Sequence, residues 1–299
     1  MQININEINK ECLLDTNKFI NECENKYNEK INSVADYIKS NIDSSKIVLI
    51  SGPSSSGKTT TSKILINKLE EKGIHSITVS TDDFFVNRWE TPKNEDGSYD
   101  YENIKATNLS LLKNCVKELI ENKEAYFPTY DFITGESKLH SNKLELNDNT
   151  IIIIEGIHAL NPILTEDFYF QKSLKIYVCV FSNFVKDENV ILEAKNLRLT
   201  RRILRDSATR GFSPERSIEL WNNVLKGEEL YIKPFINSAN FVIDTTHPYE
   251  ALVYKDLITK KLKNISNEIS KSLLDSYHNF ESIDKKYIPK NSLLNEFVF

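Results

Sequence analysis

The chain has 299 residues, enough for one large α/β domain or two small ones. It has eight glycines and eight prolines, 27% charged and 40% hydrophobic residues, which excludes linker-rich, collagen-like and disordered chains. The net charge, 38 − 43 = −5, excludes a general polyanion binder.

Residues 1–44 are polar, with Phe19, Cys23, Tyr27, Ile31, Val34, Ile38 and Ile42 at helical spacing, and predict one or two amphipathic helices. Lys46–Ser51 is a short apolar β-run, followed by a glycine-containing turn and a helix to about Lys72. His75–Ser80 reads as the next strand, and Asn87–Asp100, with Pro92 and Gly97, as a loop. Leu109–Asn122 is an amphipathic helix, and Ala125–Leu146 alternates around Gly135 as a β-hairpin insertion would. Thr150–Glu155 (TIIIIE) and Leu174–Val180 are continuous apolar runs, as strands buried on both faces should be. A basic helix over Glu193–Asp206, a helix opened by Pro214, a strand at Asn240–Asp244 and a helix over Glu250–Ile265 complete the pattern. The last 30 residues, with Pro289, are less regular and end on the apolar Leu293–Phe299. Strands alternating with helices imply a parallel sheet covered on both sides.

Four cysteines without a CxxC pair, and five histidines without paired metal spacing, fit a reduced cytoplasmic protein with no cysteine- or histidine-bound metal. The N-terminus MQININEINKECLLD has no apolar run and is not a signal peptide. No run approaches the roughly 20 apolar residues of a spanning helix. One imbalance stands out. Of seven arginines six fall between Arg198 and Arg216, namely Arg198, Arg201, Arg202, Arg205, Arg210 and Arg216. Arginine forks suit bidentate phosphate binding; a solvated helix face is the alternative.

Gly52-Pro53-Ser54-Ser55-Ser56-Gly57-Lys58-Thr59 matches GxxxxGK[ST] at every fixed position, between a strand and a helix. Such a loop turns backbone N–H groups of Gly52, Ser54, Ser55, Ser56 and Gly57 toward phosphate oxygens, and the following helix, with Thr60 in its first turn, adds its positive end. Lys58 would reach the β/γ-phosphates of ATP and Thr59 would offer its hydroxyl to Mg²⁺. Acids stand at two strand ends, where doubly wound sheets carry their chemistry. Glu155 is placed to hold Mg²⁺ directly or through water. Asp82 is placed to accept a proton from an attacking hydroxyl, though spacing does not separate it from Asp83. No DxxG or NKxD motif supports a GTPase, and Glu155-Gly156 is not the Asp-Glu of a motor ATPase.

The loop GPSSSGKTT, TDDFF after the second strand, YDF at Tyr130–Phe132, EGI at Glu155–Ile157 and RLTRRILRDSATRG at Arg198–Gly211 together resemble the uridine kinase/phosphoribulokinase family, over roughly residues 46–262. Stretches at Glu155–Pro162, Trp221–Phe235 and Ile288–Phe297 are similar to its bacterial nucleoside kinase-like branch. The resemblance implies that Asp82 is the catalytic base and, with Thr59 and Glu155, lies on the Mg²⁺ side. It implies that Asp100 holds ribose hydroxyls, that Tyr130 lines the nucleoside site and Arg202 faces substrate, and that Arg205 and Arg210 are lid arginines closing over the triphosphate. Pyrimidine-specific members carry a His three residues after YDF, an Arg two residues after the lid arginine and a Gln further along that helix. Here these are Gly135, Phe212 and Leu220. The phosphoryl-transfer half is therefore expected to be intact and the base-reading half altered. His158 is either a core histidine or a new contact there.

The expectation is a P-loop α/β/α sandwich with a parallel sheet of about five strands, a β-hairpin insertion and an arginine-bearing lid. A helical segment (1–44) would precede a kinase domain (45–265, lid about 198–221), and a C-terminal tail (266–299) would follow. The expected activity is ATP-dependent phosphorylation of a primary hydroxyl of a nucleoside-like acceptor in the cytoplasm, with ATP and Mg²⁺ as cofactors. Neither a membrane nor nucleic acid is an expected partner, and self-association stays open. The alternatives are a sugar-phosphate or pantothenate-like alcohol as acceptor, or an ATP-binding regulatory protein without turnover.

Overall fold

The structure, a computed structural model, describes residues 2–42 and 45–298. The boundary expected at residue 44 falls on residues 43–44, outside the described residues. The chain runs β1 (Gln2–Asn4), α1 (Ile5–Leu14), α2 (Thr16–Ser40), β2 (Ile47–Ser51), α3 (Lys58–Glu70) and β3 (His75–Ser80). After short 3₁₀ turns come α4 (Leu109–Asn122), the hairpin β4 (Glu124–Asp131) and β5 (Glu136–Glu145), then β6 (Thr150–Glu155), α5 (Pro162–Thr165) and β7 (Leu174–Cys179). The remainder is β8 (Asn183–Lys186), β9 (Asn189–Leu192), α6 (Ala194–Thr209), α7 (Pro214–Glu219), α8 (Trp221–Tyr231), β10 (Phe241–Asp244), α9 (Glu250–Leu262) and α10 (Glu268–Tyr277).

Five strands form the central sheet in the order β10-β7-β2-β6-β3, every pairing parallel. The period of two along a strand explains its apolar runs. Val48, Ile50, Ile151 and Ile153 enter the core under α2, α3, α6 and α9, while Ile47, Leu49, Ile152 and Ile154 enter a second core with α4 on the other face. The isoleucine run of β6 thus serves both layers of an α/β/α sandwich.

The terminal segments belong to the larger core. Ile5, Ile20, Tyr27 and Ile31 from α1 and α2, and Leu273, Tyr277, Leu293, Leu294 and Phe297 from the C-terminal region, lie in one cluster with the sheet. β1 pairs in parallel with β8, which pairs with β9. Among the described residues no helix is long and apolar enough to cross a membrane.

Candidate active site

The loop between β2 and α3 is built for an anion. Ser55 (φ 59°) and Gly57 (φ 88°) take left-handed backbone, which folds successive amides into a cradle. Gly57 leads into α3, whose first amides receive no cap from its own N-cap side chain. Lys58 folds back, its Nζ donating to the Pro53 carbonyl at 3.1 Å.

The arginines of α6 hold this loop. Arg198, Arg201 and Arg202 sit at i, i+3 and i+4, one face of the helix. Arg198 Nε donates to the Ser54 carbonyl (3.1 Å) and Arg202 Nη1 to Ser54 Oγ (2.8 Å). Arg201 is fully buried, forked onto Glu250 at 2.8 Å through both Nε and Nη2, and its Nη1 lies 3.5 Å from the Ser56 carbonyl. Arg198 is likewise buried and paired with Glu228 at 2.8 Å. The solvated-face alternative therefore fails for these two residues; burial with a dedicated carboxylate replaces it. Arg216 is the exposed member, paired with Glu219 at 3.1 Å.

The expected lid arginines converge on a residue the sequence reading missed. Asp206, fully buried, pairs with Arg205 (2.8 Å), Arg202 (3.3 Å) and Arg210 (3.6 Å). Its signal lay in the sequence: it is four residues after Arg202 and four before Arg210.

The acids sit at adjacent strand ends. Ser80 of β3 is in register with Glu155 of β6, and its hydroxyl donates to Glu155 Oε1 at 3.1 Å. Burial, and next the charge of Asp82, push the Glu155 carboxyl up to about 7, with Lys58 opposing. Asp82 and Asp83 lie in the 3₁₀ turn Thr81–Phe84. Asp83 accepts the Tyr130 backbone amide, and burial raises its pKa. Asp82 acts electrostatically on both Glu155 and Arg210. A buried carboxylate whose proton affinity is raised by the charge of Asp82, beside a phosphate loop, suits a divalent cation, with the Thr59 hydroxyl as a further oxygen donor. Among the described residues no group of three or more acidic, His or Cys side chains is placed to hold a metal ion.

Beyond Asp82 lies an aromatic box. Tyr130 stands 5.5 Å from Phe85 and 5.0 Å from Phe132, and Tyr101 5.8 Å from Phe85, between ring centroids. Arg88 closes it: Nε donates to Tyr101 Oη (3.3 Å) and Nη2 to the Phe132 carbonyl (2.7 Å). Arg88 also covers Gly135, whose φ is 78°; a Cβ there would lie 2.6 Å from Arg88 Nε. Arg210 reaches the same box, 5.7 Å above the Phe132 ring. Phe212 is partly exposed after α6, and Leu220 joins α7 to α8. Asp100 is held within its own loop by Asn103 Nδ2 (3.1 Å). Glu102, unflagged by the sequence reading, points a solvent-shielded Oε2 into the field of Arg202, Lys58 and Arg198. His158 is fully buried beside Tyr231, and burial lowers its pKa to about 4, so it is a neutral interior ring.

The model of the phosphoribulokinase/uridine kinase family matches residues 47–250. Uridine kinase-like protein 5 of Arabidopsis thaliana is 26% identical over 198 residues, 66% of this chain and 38% of that protein. The uridine kinase of Ureaplasma urealyticum is 28% identical over 228 residues, 75% of this chain and 99% of its own. The chain spans 38% and 43% of the length of the plant protein and of the uridine kinase of Saccharomyces cerevisiae, respectively.

Proposed function

The chain belongs to the phosphoribulokinase/uridine kinase family, and we propose that it transfers the γ-phosphoryl group of ATP to a primary hydroxyl of a nucleoside-like, ribose-containing acceptor in the cytoplasm. The observation that carries this reading is the pairing of Ser80 with Glu155, because it sets the Asp82 turn and the buried acid beside Lys58.

Asp82 receives the acceptor's hydroxyl proton. The acceptor oxygen bonds to the γ-phosphorus, the bond to the β,γ-bridging oxygen breaks and ADP leaves. Positioning matters more here than base strength. Asp83 is spent on the hairpin amide, which favours Asp82 as the base. Lys58, Arg205 and Arg210 would balance the negative charge on the transferring group. Glu155, Asp82 and Thr59 would hold Mg²⁺, which when bound neutralises phosphate charge. Arg202 and Tyr130 would bound the acceptor side, with Asp100 turned to the ribose diol. Asp82→Asn is expected to lower turnover by at least about 100-fold with little change in ATP affinity, read by ADP release over a panel of nucleosides. Near-normal turnover refutes the base assignment.

Arg88 over Gly135 supports a second reading, that the acceptor is an alcohol other than a pyrimidine nucleoside. A sugar phosphate and a pantothenate-like alcohol belong in the same panel. ATP binding with no turnover on any member would favour a regulatory protein.

A further inference from the structure

The C-terminal turn lies against the phosphate loop. Leu293, fully buried, packs onto Gly57 so closely that a Cβ there would come within 2.7 Å of its Cδ1. Leu294 and Phe297 are buried beside it, and Arg201 stacks 5.0 Å above the Phe297 ring. Ser292 caps the turn by accepting the Leu294 amide at 3.1 Å and is fixed by Tyr249 Oη at 2.9 Å.

This anchoring puts one carboxylate on the loop's helix. Glu296 Oε2 accepts from Thr60 Oγ1 at 2.7 Å and from the Thr60 backbone amide at 3.3 Å. The Thr60 amide is one of the free donors at the start of α3, where a phosphate loop presents N–H groups to phosphate oxygens. Glu296 thus does to Thr60 what a phosphate oxygen would do. Its charge also reaches Glu155 and Arg201. Two anions cannot share one donor pair without strong repulsion.

We propose that Glu296 is a built-in competitor of the nucleotide: its carboxylate occupies a phosphate seat at Thr60 and must swing away before nucleotide fills the loop. The backbone of the turn stays docked, because Leu293, Leu294 and Phe297 hold it in the core, and the partly buried Glu296 side chain moves alone. Nucleotide affinity is therefore set partly by a residue 236 positions from the amide it covers.

This inference rests on the nucleotide-binding reading of the loop but not on the identity of the acceptor. The test is the dissociation constant of a Mg²⁺-bound, non-hydrolysable ATP analogue, by calorimetry, for the full chain and its Glu296→Gln and Glu296→Ala variants. Glu296→Ala is expected to bind about tenfold tighter, the value of one charge-assisted hydrogen bond that no longer has to be broken, and Glu296→Gln, which keeps a neutral acceptor but loses the charge, tighter by a smaller factor. Unchanged or weaker binding in folded variants overturns the proposal and leaves the nucleotide reading standing. Absence of binding by all three proteins overturns both. The wild-type chain gives an independent answer. A crystal structure with the analogue bound should show Glu296 away from Thr60, and an intact Glu296–Thr60 contact overturns the proposal.

Discussion

Arg88 and Gly135 define one wall of the aromatic box as a pair. Gly135 needs no side chain to hold φ 78°, and its missing Cβ is the space the Arg88 stem fills. Gly135→His would face both a left-handed backbone and a collision with Arg88. It is expected to lower stability by about 1–3 kcal/mol in urea unfolding. Adding Arg88→Ala should recover part of that loss, since the collision is shared between them. No recovery would mean that the backbone alone carries the cost. Glu155 gives a pH prediction. Its folded pKa of about 7 lies above the ordinary glutamate value of 4.5, so between these the folded state binds the extra proton. The stability this proton contributes is complete below pH 4.5 and is lost as pH rises to about 7. Without Mg²⁺, the melting temperature of wild type relative to Glu155→Gln should fall across that window. A flat difference would refute the burial of this carboxyl. Lys58, Thr59 and Glu155 were legible in the sequence because each sits in a contiguous motif next to a strand. Arg88 was not, because it meets Gly135 through the folding of a separate loop across 47 positions.

At the scale of one element, α6 shows how a compositional oddity becomes structure. The clustering of arginines was visible in the sequence; the direction each one faces was not. Helical spacing sends Arg198, Arg201 and Arg202 to the loop carbonyls and hydroxyl, and it places Asp206 among Arg202, Arg205 and Arg210. The loop conformation is therefore stiffened by guanidinium groups before any phosphate arrives. Arg201→Ala leaves Glu250 buried with an uncompensated charge. It is expected to cost about 3–5 kcal/mol, whereas Arg216→Ala at the exposed pair should change stability by less than about 0.5 kcal/mol. Arg201→Met with Glu250→Gln should recover much of the loss in the same urea titration. Equal effects at Arg201 and Arg216 would contradict the burial that separates them.

For the whole molecule, the two ends of the chain converge on the phosphate-loop helix. From α2, Tyr27 Oη bonds Thr61 Oγ1 at 2.6 Å, and from the C-terminal turn Glu296 bonds Thr60. The ends are also joined to each other, because Tyr249 Oη donates to Glu24 and contacts Ser292. The periodicity of residues 1–44 revealed helices, and the composition of the tail revealed an apolar end. Neither could reveal the partner, because each contact spans tens to hundreds of positions and local pattern carries no such information. The sheet was legible for the opposite reason: β-runs and the turns between them are local. A chain without residues 1–40 would uncover Ile64, Leu65 and Leu69 of α3, which now share a core with Ile20, Ile31 and Val34. Each side chain of this kind is worth about 1.5–3 kcal/mol when buried, and a few of them equal the roughly 5–15 kcal/mol that hold a domain folded. The truncated chain is therefore expected to be unfolded or aggregated, and the full chain to unfold in a single cooperative transition by far-UV circular dichroism and by tryptophan fluorescence together. A truncated chain that stays folded and binds ATP as the full chain does would show that the helices are an appendage. In that case the Tyr27–Thr61 bond would carry no more than the roughly 1 kcal/mol of one ordinary hydrogen bond.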